Sequence, residues 1–297
     1  MTDSTIGLLL GLGAAVAWTG ANLTIRAAAD RLGSFGSLLA AQITGVIPIL
    51  LLAVALEGAP GSLPSISIWA LLCVAGLAAC LAFGGLFTSF RLGSVSVVGP
   101  LVSAWSVVSV GVGYAFMDQV PSLLALIGVV CVGAGNAMLA RFSIDGESDG
   151  TDTPRVGVPR VAIVAACLSA LGFGVMIPTM NVIAEDMGKL WTIPAVWTVQ
   201  WIFLLPLLRL LGQTVAFPRT LNDLKVALVP GLFEAAGFTA LTIGLGFASM
   251  AVVAPTSSLS TGFTVLAGFF LLGERLHPAS AVGAAVVAVG VVLVGLN

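Results

Sequence analysis

The fold is decided by two matching stretches, GLAACLAFGGLFTSFRLGSVSVVGP at residues 76–100 and GLFEAAGFTALTIGLGFASMAVVAP at residues 231–255. At a constant offset of 155 positions they share glycine, leucine, phenylalanine, serine, valine and proline without a gap, and the match continues to Gly113 and Gly268. Paired glycine, phenylalanine, serine and proline in one register are hard to obtain by chance. The chain is therefore predicted to contain an internal duplication.

The composition is that of a membrane protein. Of the 297 residues, 59% are hydrophobic and 8% are charged, and the mean hydropathy is +1.14. Soluble domains carry roughly 45–50% apolar and about 25% charged residues, so this chain could not cover its surface with polar groups in water. With no basic patch, no nucleophile–base pair and no metal-ligand pattern, the sequence predicts no nucleic-acid partner, no enzyme activity and no cofactor.

Ten apolar runs are long enough for a helix to cross a bilayer core, which takes about 20 residues. They are Ile6–Ile25, Ser37–Leu56, Trp69–Phe90, Val95–Met117, Leu123–Ala140, Val161–Ile183, Ile193–Leu208, Leu224–Phe247, Ala251–Leu272 and Ala279–Leu296. The sequence predicts an all-α integral membrane protein: repeat 1 over residues 1–141, a polar loop over 142–160 and repeat 2 over 161–297. Because each repeat has an odd number of spans, the two should cross the membrane in opposite directions.

Arginine and lysine residues are distributed unevenly between the two ends of these spans. Ten follow odd-numbered spans, and only Lys189 lies at the other end. The positive-inside rule then places the 141–160 loop in the cytoplasm and both termini outside. We expect a multi-pass protein of the plasma or inner membrane, as a monomer or a homodimer.

Glu234 is an ionisable residue about ten positions into the eighth predicted span, and its repeat partner is Ala79. A charged group at that depth costs roughly 3 kcal/mol or more and usually faces a cavity with a function. We expect its carboxyl group to exchange a proton during transport or to balance a cationic or amino-bearing substrate. The alternative is a protonated or hydrogen-bonded structural glutamate between helices.

Aromatic and polar residues lie at helical spacing in the other spans. Trp18 and Asn22 share a face of the first span, and Trp197, Gln200 and Trp201 share a face of the seventh. The expected substrate cavity comprises Trp18, Asn22, Gln42, Phe83, Ser103, Trp105, Ser106, Met176, Trp197, Gln200, Trp201, Phe238, Ser257, Ser258 and Thr261. Tryptophans around a carboxylate suit an organic cation or an aromatic ring, whereas for any single residue helix packing is an equal alternative.

Two motifs recur at the fourth span of each half. The second half has Val252-Val-Ala-Pro255 and Leu271-Leu-Gly-Glu-Arg275, and the first half has a weaker copy, Val97-Val-Gly-Pro100 through Asp118 to Pro121. In these motifs the chain resembles the EamA family of the drug/metabolite transporter superfamily. The resemblance implies ten helices in two repeats, a central cavity and alternating access. The expected gate and motif residues are Asp118, Glu274, Arg275, Pro100 and Pro255, and the two prolines are expected to open matched helices.

The family resemblance implies substrates such as amino acids, vitamins, nucleobases, quaternary amines and drugs. No arginine or lysine lies in mid-span, which argues against phosphorylated substrates. The leading hypothesis is a proton-coupled exporter of an amino acid or organic amine. The alternatives are a facilitative uptake carrier for a choline-like, vitamin or nucleobase solute and, from another class, a lipid-flipping or non-transporting structural membrane subunit.

Overall fold

The structure is a computed structural model that describes residues 2–59, 64–93, 95–116, 122–146, 159–264, 267 and 278–295. Within these ranges all the regular elements are helices, which confirms the predicted all-α membrane fold. They are α1 (Asp3–Glu57), α2 (Ile66–Leu92), α3 (Val95–Ser103), α4 (Trp105–Phe116), α5 (Leu123–Gly146), α6 (Arg160–Met187), α7 (Lys189–Leu210), α8 (Leu221–Gly244), α9 (Met250–Ser257) and α10 (Pro278–Gly295). Most of the predicted polar loop, residues 147–158, lies outside the described residues.

Six helical stretches of the described chain are long and apolar enough to cross a membrane. Helix α1 runs for 55 residues, far more than the about 20 that span a bilayer core, because it contains the first two predicted spans. The fourth predicted span is divided between α3 and α4. Since the ninth and tenth spans are described only in part, the count of ten stays a prediction.

The turn between the first two spans of each half is made by a glycine. Gly33 inside α1 has φ 71°, and Gly188 between α6 and α7 has φ 90°. Residues with a side chain rarely adopt such a backbone, so a single glycine makes each of these turns. Gly33 and Gly188 are related by the same offset of 155 positions, so the duplication includes this turn.

The third predicted span of each half packs against the first two predicted spans of the other half. Helix α8 lies along both parts of α1, while α2 lies against α6 and α7. Small residues permit this close approach, as is usual in membranes. A Cβ atom added at Gly231 of α8 would overlap the carbonyl oxygen of Ala41, and one added at Gly76 of α2 would lie 2.5 Å from Val199 Cγ1.

A helix break occurs at the same place in each half. The fourth span is interrupted at Ala104, between α3 and α4, and the matching segment is interrupted at residues 258–259, after α9. Pro100 and Pro255 lie inside α3 and α9, and not at the start of these helices as expected. Because proline lacks an N–H and clashes with the preceding turn, each weakens its helix about one turn before the break.

Candidate functional site

A narrow cavity lies among α1, α2, α3, α4, α6, α8 and the segment after α9. Its lining includes five of the expected residues, Trp18, Asn22, Ser103, Trp105 and Glu234, together with Leu86, Phe90, Gly99, Val102, Phe173, Ile177 and Ser260. The cavity volume is about 30 Å³, enough for one or two water molecules. An organic solute needs several hundred Å³, so the helices must separate before one can enter.

Glu234 is buried in the middle of α8, with 5% of its surface exposed. The indole N–H of Trp18 is close enough to interact with its carboxyl group, but the geometry does not amount to a hydrogen bond. No other hydrogen bond or ion pair to Glu234 involves the residues that the structure describes. A buried carboxyl group with so few partners is suited to bind a proton or a cation.

Aromatic rings close the cavity on one side. The Phe238 ring lies 5.3 Å from Trp18, 5.6 Å from Phe83 and 6.1 Å from Trp197, measured between ring centroids. Phe238 follows Glu234 by one helical turn, and Phe83 is its repeat partner in α2. The two expected phenylalanines therefore meet between the halves, as a wall beside the carboxyl group, and do not line the cavity itself.

The expected hydroxyl groups mostly bind the backbone. Ser106 donates to the carbonyl of Ser103 at 3.2 Å, and Thr261 donates to the carbonyl of Gly99 at 3.3 Å. Ser257 and Ser258 donate to carbonyls one turn earlier in α9. Together with the buried Met176, these residues lie outside the cavity lining, so in this conformation they shape the surrounding helices.

A separate polar cluster links α1 to α7. Trp201 Nε1 donates to Gln42 Oε1 at 2.5 Å, and Gln42 Nε2 donates to Gln200 Oε1 at 3.1 Å. Cys80 Sγ of α2 donates to the carbonyl of Gln200 at 3.4 Å. The glutamines and Trp201, expected in one cavity with Glu234, thus form their own network between the halves.

The remaining motif residues are only partly described. Pro100 and Pro255 are buried beside the two helix breaks, whereas Asp118, Glu274 and Arg275 lie outside the described residues. Phe173 and Ser260 also line the cavity, although they are not among the residues given above for the expected substrate cavity. The repeat offset pairs them with Trp18 and Trp105, which are among those residues, so the offset is the signal that identifies them.

Three comparisons with known proteins place this geometry among its relatives. The family model described as "EamA-like transporter family" matches residues 5–141 and again residues 160–296. A search of curated proteins found no match. A solved structure described only as "Crystal structure of protein" has a TM-score of 0.73, covers 98% of each chain and is 15% identical in sequence, which shows a shared fold.

Proposed function

This chain belongs to the EamA-like transporter family, and from that premise we propose that it carries a small organic cation or zwitterion, such as an amino acid or amine, in exchange for protons. Membership makes it a multi-pass membrane transporter of the drug/metabolite transporter superfamily. The observation that carries the finer proposal is the buried carboxyl group of Glu234 in the central cavity. Among the residues that the structure describes, the lining contains no arginine or lysine to pair with it.

The proposed cycle uses one carboxyl group for two ligands in turn. An ionised Glu234 attracts the positive group of the solute, while the faces of Trp18 and Trp105 in the lining favour a cation by cation–π interaction. When the site is open to the side with more protons, protonation of the carboxyl group releases the solute. Because proton and solute compete for the same group, proton entry into the cell drives solute export.

Alternating access requires the cavity to change shape. The volume of about 30 Å³ is too small for any of these solutes, so the described conformation is a contracted one. The paired breaks at Ala104 and residues 258–259 adjoin the lining residues Ser103, Trp105 and Ser260. In our proposal the two half-helices move at these breaks, with repeats over residues 1–141 and 161–297 rocking against each other.

Replacement of Glu234 tests the coupling. In proteoliposomes we expect Glu234→Gln to abolish solute accumulation driven by a pH gradient, because an amide cannot exchange a proton at this site. Exchange of labelled for unlabelled solute without a pH gradient should weaken and still be measurable. Glu185→Gln is the matched control, since Glu185 is exposed at the end of α6. Undiminished pH-driven accumulation by correctly folded Glu234→Gln would overturn the proposed coupling.

The same assay separates the alternatives. Transport that saturates but never accumulates the solute, in the unaltered chain, would indicate the facilitative carrier for a choline-like, vitamin or nucleobase solute. Transfer of labelled lipid without solute transport would indicate a flippase. The predicted orientation is tested by impermeant labelling of a cysteine placed at each terminus, where reaction in intact cells is expected.

A further inference from the structure

Several side-chain donors in the core have no acceptor among the described residues. Besides the amide of Asn136 in α5, they are Trp18 Nε1, Trp197 Nε1 and Gln200 Nε2. Trp197 is 3% exposed and Gln200 is 0% exposed. In a membrane-spanning helix such donors cannot form hydrogen bonds to bulk water, so leaving them unpaired is unfavourable. Trp18 lies beside the carboxyl group of Glu234, whereas the donors of Trp197 and Gln200 have no acceptor among the described residues.

The orientation of the Gln200 amide is fixed by its neighbours. The indole of Trp201 can only donate, so Gln42 must accept with Oε1 and present its NH₂ group to Gln200. Gln200 in turn must accept with Oε1, as the distance of 3.1 Å shows. Its own NH₂ group therefore points away from the network. The unpaired donor is a consequence of this chain of hydrogen bonds and not of an arbitrary choice of amide orientation.

A shared aromatic wall connects the free donor of Trp197 with the carboxyl group of Glu234. The Trp197 ring lies 6.1 Å from Phe83 and 6.1 Å from Phe238, and Phe238 also contacts Trp18, which lies beside Glu234. Gln200 is three residues from Trp197 and so shares its face of α7.

We infer that Trp197 and Gln200 bind a carboxylate of the transported solute, which makes the solute a zwitterion and not a simple amine. The inference rests on the proposed function, since it assigns the positive end of that solute to Glu234. An ionised carboxylate accepts hydrogen bonds from two N–H donors more strongly than a neutral oxygen does, and phosphorylated solutes are disfavoured by the lack of arginine and lysine in mid-span. In the contracted conformation the donors have no such acceptor, and solute binding supplies one.

Two matched pairs of probes test the class of solute on the purified full chain. L-phenylalanine is compared with phenethylamine, and betaine with choline, by thermal shift and by inhibition of transport in proteoliposomes. The zwitterion of at least one pair should bind about tenfold to a hundredfold more tightly than its partner, the range expected for hydrogen bonds to a charged group. Equal or tighter binding of both partners that lack a carboxylate overturns the inference.

Two tryptophans of α7 provide the matched variants. Trp197→Phe keeps an aromatic ring but removes a free donor, so it should weaken zwitterion binding about tenfold and leave amine binding unchanged. Gln200→Leu should likewise weaken zwitterion binding and leave amine binding unchanged. In Trp191→Phe the lost donor was already bonded to the carbonyl of Gly58, so this variant should melt at a lower temperature and still distinguish zwitterion from amine.

The outcomes separate failure of the inference from failure of the proposed function. If only amines bind, and their transport still depends on Glu234, the proposed function stands and the carboxylate site is wrong. If zwitterions bind and Trp197→Phe weakens both members of a pair equally, the donors have a structural role and the inference is also overturned. If no probe binds or is transported, both proposals fail for these solute classes.

Discussion

Trp18 against Phe238 and Phe173 against Phe83 are the same contact made twice. The ring centroids lie 5.3 and 5.1 Å apart, and the interplanar angles are 71° and 73°. Each pair joins the first predicted span of one half to the third predicted span of the other. Packing of this kind depends on shape alone, so it can be repeated in both halves without repeating any chemistry.

The chemistry is present in one copy only. Glu234 has Ala79 as its partner, and the indole of Trp18 has the phenyl ring of Phe173. A single carboxyl group avoids the repulsion that a second ionised carboxyl group nearby would cause, which suits the proposed exchange of a proton for a cationic group. The comparison indicates a symmetric scaffold around an asymmetric site. Substitutions in the scaffold should change stability, and substitutions at the site should change transport.

The largest effect is expected where the scaffold leaves no space. Gly231→Val and Gly76→Val should both destabilise the protein, by roughly 1–3 kcal/mol or more. Gly231→Val should be the worse, because its Cβ meets the backbone carbonyl of Ala41 and not the side chain of Val199. Gly13→Ala is the control, since no atom lies within 4 Å of the added Cβ.

Melting curves in detergent, followed by size-exclusion chromatography, measure this difference between the two interfaces. If Gly231→Val melts at the same temperature as the Gly13→Ala control, α8 does not pack against α1 as closely as described.

A moderate effect is expected from exchanging the two first-helix rings. Trp18→Phe keeps the contact with Phe238 but removes the N–H beside Glu234, so pH-driven transport should fall about tenfold with little change in melting temperature. Phe173→Trp enlarges a buried ring of the cavity lining and should lower the melting temperature without improving transport. Transport rates and melting curves of both variants check this, and an equal transport defect in the two would contradict the asymmetry of the site.

The smallest effect is expected from two helix caps, one that joins the two halves and one that is local to a single helix. Both oxygens of Glu57 accept the N–H of Leu190, at 3.1 and 3.2 Å, and so join α1 to α7 across the halves. Asp223 instead accepts the N–H of Thr220 at 3.0 Å within its own capping box. Glu57→Ala and Asp223→Ala should each lower the melting temperature by a few degrees.

The two caps should differ in their effect on transport. Only Glu57→Ala should also alter the transport rate, because its contact joins the two halves that move relative to each other in the proposed cycle. An equal change in rate for Asp223→Ala would remove that distinction.

Much of the fold could be predicted because hydrophobic length is a local property. The apolar character of the spans and the mid-span position of Glu234 follow from residues close in sequence, and the duplication follows from the constant repeat offset. The breaks at Ala104 and residues 258–259 were not predicted, because a proline shows only that a bend is permitted. The polar cluster of Gln42, Gln200 and Trp201 was placed with the cavity residues, since spacing along a helix gives a face but not its neighbour.

By itself the sequence determined the membrane class, the two repeats and the presence of one carboxyl group at mid-span, because solvent and helix period act on each segment separately. The tertiary structure decided which polar groups are paired. The contact between Cys80 and Gln200 spans 120 positions, and that between Thr19 and Ser260 spans 241. Only the packing of distant helices determines whether a donor such as Gln200 Nε2 finds an acceptor, and the carboxylate inference depends on its having none.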